Sequence, residues 1–292
     1  MKRSESVVAA SDLSGFSEQV AERAARLADS LGATGQLLHV LDHNALDAVR
    51  HWVDGGQDAV EKLRSQAAAA LQEQVQRVSE KTGYSLQPVL EEGSVLDAII
   101  GQVTADSLLV LGVRGQHALR DLFLGSTTRH SLYRRKGPVL VVKSDAGRRY
   151  QKIVVTTDFS DNALQALKRT AALFPDSELE VVYVLVDPLE HRMTYAGLDE
   201  QLIHQYYEKG REKAASDMEE FLIAAEVDAD RIHSRVETGS PGRVLPELAE
   251  KLGADLVVAG KQGHTAVGDR LLGSVTQHLL QDCPVDVLIE CR

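Results

Sequence analysis

Residues 260–274 read GKQGHTAVGDRLLGS, and residues 112–126 read GVRGQHALRDLFLGS. Both have the form Gly, two residues, Gly, nine residues, Gly-Ser. Each follows an apolar run, Leu256-Val257-Val258-Ala259 in one case and Leu108-Leu109-Val110-Leu111 in the other. Glycine at the end of a strand admits positive φ and lets another group approach the main chain closely. Gly273-Ser274 and Gly125-Ser126 stand where a helix is expected to open, and a helix start offers unpaired N–H groups and partial positive charge. Arg114 and Lys261 put a basic group near each such start. The chemistry indicated is the holding of phosphate by backbone amides. The plainer reading is that the glycines make turns and the serines cap helices. Two copies with one spacing favour a site, although duplication by itself would also preserve the spacing.

The rest of the chain is duplicated too, with a period of about 146 residues. VVAASDLSGFSEQV (7–20) matches IVVTTDFSDNALQA (153–166), LLHVLDH (37–43) matches VYVLVDP (182–188), and EEGSVLDAI (91–99) matches ETGSPGRVL (237–245). GPVLVVKS (137–144) and CPVDVLIE (283–290) close the two copies. So long a period means a duplicated domain rather than a solenoid. We place one domain over 1–145 and the other over 150–292, joined by the polar stretch SDAGRRY.

Each copy alternates strand and helix. In the first, Val7–Ala10 reads as a short buried strand. Val20, Ala24, Leu27 and Leu31 give a helix over 16–31 one apolar face, and 37–41 is a second strand. Val60, Leu63, Ala67, Leu71, Val75 and Val78 recur at spacings of three and four on a long helix. A strand near 86–90, a helix over 94–104, a strand at 107–111, the glycine segment, a helix over about 126–134 and a strand at 138–143 follow. The long helix of the second copy carries Ile203, Tyr206, Met218, Phe221 and Ala225. Such alternation predicts an α/β chain of two doubly wound, Rossmann-like domains with parallel sheets. Sheets of this kind take ligands at the carboxyl ends of strands, where the strand order reverses. Asp12 and Asp158 close the first strand of each copy, so each carboxylate either accepts a bond from a ligand or caps the following helix.

A net charge of −11 argues against general affinity for nucleic acid or anionic membrane. No apolar run approaches the ~18 residues of a membrane span, and no signal-peptide pattern opens the chain, so a cytoplasmic location is expected. Cys283 and Cys291 make neither a disulfide framework nor a metal spacing. P-loop, dinucleotide and Gly-x-Ser-x-Gly signatures are missing. His117 and His264 sit in the glycine segments at different offsets and read as solvated loop residues.

With both Gly-2x-Gly-9x-Gly-Ser segments, VVTTDFSDNALQAL and GPVLVV in view, the chain resembles a tandem universal stress protein of the nucleotide-binding branch, over nearly its whole length. The resemblance implies five-stranded sheets of order 3-2-1-4-5 with ATP, carrying Mg, at the carboxyl edge of strands 1 and 4. It implies adenine contacts at Asp12 and Asp158, and backbone contacts at Val40 and Val184. Ribose and phosphate contacts fall on Gly112, Gly115, Gly125, Ser126 and Thr127 in the first copy, and on Gly260, Gly263, Gly273, Ser274 and Val275 in the second. Arg114 matches a basic loop position, whose counterpart is Gln262 with Lys261 adjacent. GSTT stands where the family more often has Gly-Ser-Val. Members commonly dimerise through the last strand, which implies an internal pseudo-dimer of the two copies, with room for a further homodimer.

Three functions stay open on the sequence: a non-enzymatic stress-response protein whose occupancy by an adenine nucleotide is read by a protein partner, a slow ATPase or nucleotidyl transferase, and a scaffold with vestigial pockets. The glycine segments hold nothing that resembles a positioned general base, so rapid hydrolysis is not expected.

Overall fold

The apolar runs ahead of the glycine segments are central strands of two parallel sheets. The structure, a computed structural model, describes residues 6–53, 56–113, 125–144, 146–186, 200–261 and 272–291. The chain separates into two compact units, Lys2–Arg149 and Tyr150–Glu290.

The first unit runs β1 (Ser6–Ala10), α1 (Gly15–Leu31), β2 (Thr34–Asp42), α2 (His43–Trp52), α3 (Gly56–Thr82), β3 (Gln87–Gly93), α4 (Val95–Gly101), β4 (Leu108–Gly112), α5 (Ser126–Arg134) and β5 (Gly137–Val142). Its strands lie in the order β3-β2-β1-β4-β5, and the pairs are parallel. In the second unit come β6 (Lys152–Thr157), α6 (Asp161–Leu173), β7 (Glu178–Leu185), α7 (Glu200–Ala225), a 3₁₀ turn at Ala229–Arg231, β8 (Ile232–Thr238), α8 (Pro241–Leu252), β9 (Leu256–Gly260), α9 (Ser274–Asp282) and β10 (Asp286–Cys291). The order β8-β7-β6-β9-β10 repeats that of the first unit. Both sheets therefore have the order 3-2-1-4-5, and the crevice opens above β1 and β4, or β6 and β9, where the order reverses.

Burial explains why these segments pair. Val7, Val8 and Ala9 are fully buried, as are Leu108, Leu109, Val110 and Val139–Val142. Strands covered on both faces read as continuous apolar runs, which is how the sequence writes them. On α1 the expected face of Val20, Ala24, Leu27 and Leu31 is buried, and the helix stops where Gly32 turns left-handed at φ 62°. Along α3, Val60, Ala67, Leu71, Val75 and Val78 are buried, while Leu63 departs from expectation at 38% exposure. Met218, Phe221 and Ala225 are buried on α7; Ile203 and Tyr206 lie outside the described side chains.

Helix α2 was not foreseen. The Asp42 carboxylate starts it by accepting from Asn44 N at 2.8 Å, but only Leu46 is buried, so it leaves almost no periodic signal. The α4 helix ends at Gly101, three residues before the expected limit at 104, as glycine weakens a helix interior. The Arg135 side chain, 3% exposed, then takes over the backbone carbonyls of Thr104 and Ser107.

An ionic seam joins α1 to α3. Glu18 accepts from Lys81 at 2.7 Å and from Arg77 at 2.9 Å, and Lys81 also reaches Glu22 at 2.6 Å. The Lys81 ammonium, with Arg77 behind it, holds the Glu18 carboxyl below its ordinary value of 4.5. A depressed carboxylate stabilises the fold above its unfolded pKa, and that stability is lost as pH falls through the lower folded value. Lys81→Met should therefore flatten the fall in urea midpoint between about pH 5 and pH 3, measured against the parent chain. Gly137 supplies a second test. It holds φ 106°, and a Cβ there would lie 2.3 Å from the Ala105 carbonyl oxygen. Gly137→Ala is expected to cost about 2–3 kcal/mol in equilibrium unfolding.

Candidate functional site

The two ends of each glycine segment are tied down in the same way. Where β4 stops at Gly112, Val113 N donates to Val142 O at 3.0 Å; where β9 stops at Gly260, Lys261 N donates to Glu290 O at 2.8 Å. On return, Gly125 N meets Val113 O at 3.0 Å and Gly273 N meets Lys261 O at 3.0 Å. The following helix is then anchored back to the strand end, with Thr128 Oγ1 donating to Gly112 O at 2.8 Å and Thr276 Oγ1 to Gly260 O at 2.9 Å. Residues 113 and 125, and likewise 261 and 273, are thus stapled into one base. Arg114, Gly115 and Gly263, together with His117 and His264, lie outside the described residues.

At that base Gly125 and Gly273 are the N-caps of α5 and α9, and among the described residues no side chain caps either helix. The serines do not cap: Ser126 and Ser274 are the first helical residues and are exposed, while Thr127 and Val275 behind them are half-buried. A helix start capped by glycine keeps its first N–H groups without a side-chain acceptor, and its dipole adds attraction for an anion.

Across the crevice the first strand ends in a strained turn. Asp12 Oδ1 accepts from Ser14 N at 3.0 Å, and Asp158 Oδ1 accepts from Ser160 N at 3.1 Å. The helix caps are the serines, Ser14 for α1 and Ser160 for α6, so the aspartates shape the turn rather than cap. Leu13 and Phe159 sit left-handed at φ 62° and 63°, a conformation costing on the order of 1 kcal/mol for such residues. Their amides are held by the preceding side chains, Leu13 N to Ser11 Oγ at 3.0 Å and Phe159 N to Thr157 Oγ1 at 2.9 Å. The same strain is thus retained at the carboxyl edge of both sheets.

In the second unit Asp158, Val184, Gly260, Gly273, Ser274 and Val275 line one cavity of about 390 Å³. Lys261 is not on that lining, and its side chain is 5% exposed. Asp12, Val40, Gly112, Gly125, Ser126 and Thr127 stand at the same element ends of the first unit, with Val40 opposite Glu91 as Val184 is opposite Glu237. The sequence reading missed other residues of the lining, among them Thr157, Tyr183, Pro241 and Leu245. Tyr183 precedes the expected Val184, and strand register would have raised it. Burial pushes its phenol up, and the nearby carboxylates of Asp217 and Asp158 push it further. Pro241 and Leu245 come from α8, which no strand-end motif announces.

Beneath the first-unit turn lies a buried polar network. Ser11 Oγ donates to Gln74 Oε1 at 2.7 Å, Gln74 Nε2 donates to Ser17 Oγ at 3.1 Å, and the two hydroxyls are 3.0 Å apart. It ties the end of β1 to the first turn of α1 and to α3.

Comparison with known proteins agrees in both halves. The sequence model of the universal stress protein family matches residues 4–143 and again 149–290. A universal stress protein of Mycolicibacterium smegmatis is 27% identical over 293 residues, covering 95% of this chain and 94% of that protein. Another, from Methanocaldococcus jannaschii, is 33% identical over 144 residues, 48% of this chain and 82% of the relative. The crystal structure of a universal stress protein from Archaeoglobus fulgidus superposes with a TM-score of 0.67 at 20% identity, covering 99% of this chain and 98% of that one. At that identity the likeness is one of fold.

Gln74→Ala removes the centre of the buried network and leaves a void. It is expected to destabilise the chain by about 2 kcal/mol, read as a lower guanidinium midpoint.

Proposed function

Because the chain belongs to the universal stress protein family, we propose that each half binds an adenine nucleotide, ATP with Mg, and that occupancy rather than rapid turnover is its output. The observation that carries this reading is the duplicated crevice: a helix start capped only by glycine faces a strained aspartate turn across the carboxyl ends of the central strands. Phosphates suit the first and a base or ribose suits the second. In this reading Gly273, Ser274 and Val275 present amides to the phosphates, as do Gly125, Ser126 and Thr127 in the first half. In the same reading Arg114, Gly115 and Gly263, outside the described residues, also serve the phosphates. Asp158 and Asp12 accept from an adenine amino group or a ribose hydroxyl, and the main chain at Val184 and Val40 meets the base edge.

Size and lining support the assignment. A cavity of about 390 Å³ is within the usual range for small-molecule sites, and its walls mix apolar side chains with a few polar groups. Among the described residues no group of three or more His, Cys, Asp or Glu side chains is arranged to hold a metal ion. Magnesium would then arrive on the phosphates, its ordinary habit in nucleotide sites. No helix among the described residues is long and apolar enough to cross a membrane. A ligand shifts a conformational equilibrium only by its differential affinity for the two states, so a protein partner must distinguish the filled from the empty chain. We also propose that the two halves associate as an internal pseudo-dimer.

Equilibrium dialysis of the nucleotide-stripped full chain against Mg-ATP tests the reading. Two ATP per chain are expected, and Asp158→Ala should weaken the second-half site about tenfold, the worth of roughly one charge-assisted hydrogen bond. Absence of uptake would overturn it.

A further inference from the structure

The two halves share a turn but not its surroundings. Ala10 pairs with Leu38 and Thr156 with Val182, so the strand registers set His39 and Tyr183 at one position. Leu13 and Phe159 share the left-handed position, and left-handed residues, Gly83 and Glu226, also follow α3 and α7. Counting back equally from those two residues sets Gln74 against Asp217. Ser17, which completes the polar network in the first half, has Ala163 as its counterpart, and a methyl group cannot take that role.

Aromatic packing stands there instead. Phe159 lies against Tyr183 with ring centroids 4.4 Å apart and an interplanar angle of 30°, and Phe221 meets Phe159 edge-on at 5.8 Å. The Phe159 ring leaves the left-handed position and packs against both Tyr183 and Phe221. Tyr183 and Ala163 both line the cavity. In the first half Leu13 replaces Phe159, and the smaller, more polar His39 ring has its Nδ1 2.8 Å from the Ser11 carbonyl oxygen.

We propose that Tyr183 sets the ligand preference of the second half, serving as the aromatic platform for a purine base, so that the second half fills before the first. The inference rests on the nucleotide reading above and adds to it an order of filling and the residue responsible. A pre-fixed ring loses little freedom when a base settles on it, and base–aromatic stacking is of the size that separates two otherwise similar sites. Because Tyr183 acts on the base, the difference between halves belongs to nucleotides and not to phosphate chains.

The test is calorimetric titration of the nucleotide-stripped full chain with Mg-ATP, and separately with magnesium tripolyphosphate, which has no base. ATP is expected to bind in two steps of unequal affinity, and tripolyphosphate without such a separation. Tyr183→Ala should weaken the tighter ATP step about tenfold, and Tyr183→Phe should recover most of that loss. The reciprocal pair Leu13→Phe with His39→Tyr should tighten the weaker step, which keeps the proposal testable if Tyr183→Ala folds poorly. A single ATP step supports the proposal when Tyr183→Ala weakens it. Equal ATP steps, or steps indifferent to Tyr183→Ala, overturn the proposal while leaving the nucleotide reading intact. No ATP binding by the parent chain ends both.

Discussion

The parallel register of the first strand against its two neighbours is the constraint on which the site depends. Val8 stands opposite both Gln36 and Leu109, and Val154 opposite both Glu180 and Val257. Helices must then cover both faces, and chain order reverses at the central strand. The crevice this leaves lies between the end of the first strand and the end of the fourth. Asp12 and Asp158 reach it from one side and the glycine-capped helices from the other. A slip of one residue would send each side chain to the opposite face, and the fully buried Val7–Ala9 and Ile153–Val155 leave no tolerance for it.

Around that crevice two local costs recur. Leu13 and Phe159 hold a conformation that side chains resist, and α5 and α9 begin at glycines, which bring no side chain to cap them. Neither arrangement serves stability. An aspartate or serine in place of Gly125 or Gly273 would cap the helix better, and a glycine in place of Leu13 or Phe159 would relax the turn. Part-buried hydrogen bonds offset these costs: Thr128 and Thr276 on the strand ends, and Ser11 and Thr157 on the strained amides. The rigid parts are thus spent on keeping one open, polarised edge.

Duplication kept this frame and released what surrounds it. The stapled bases at the strand ends and the aspartate turns have hydrogen bonds that agree between halves to within a few tenths of an ångström. Beneath them, one half places serines and a glutamine and the other an alanine and an aromatic stack. Backbone geometry set by sheet register resists change, because every partner must move together. Side chains packed under the turn answer only to their immediate neighbours.

By itself the sequence determined the duplication, the alternation of strand and helix, and the glycine and aspartate positions at the strand ends. Those signals are local, since burial on both faces writes continuous apolar runs and a backbone that must turn closely writes glycine. Helix α2 escaped because one buried leucine makes no period, and Leu63 misled because a periodic position need not be covered. Only the tertiary structure decided that Ser14 and Ser160, not the aspartates, cap the first helices, and that glycines, not serines, cap the last. It alone brought Tyr183, Pro241 and Leu245 to the cavity and Gln74 beneath Ser11. Such contacts join residues far apart in the chain, and their partners are chosen by strand order and packing, which no short stretch of sequence encodes.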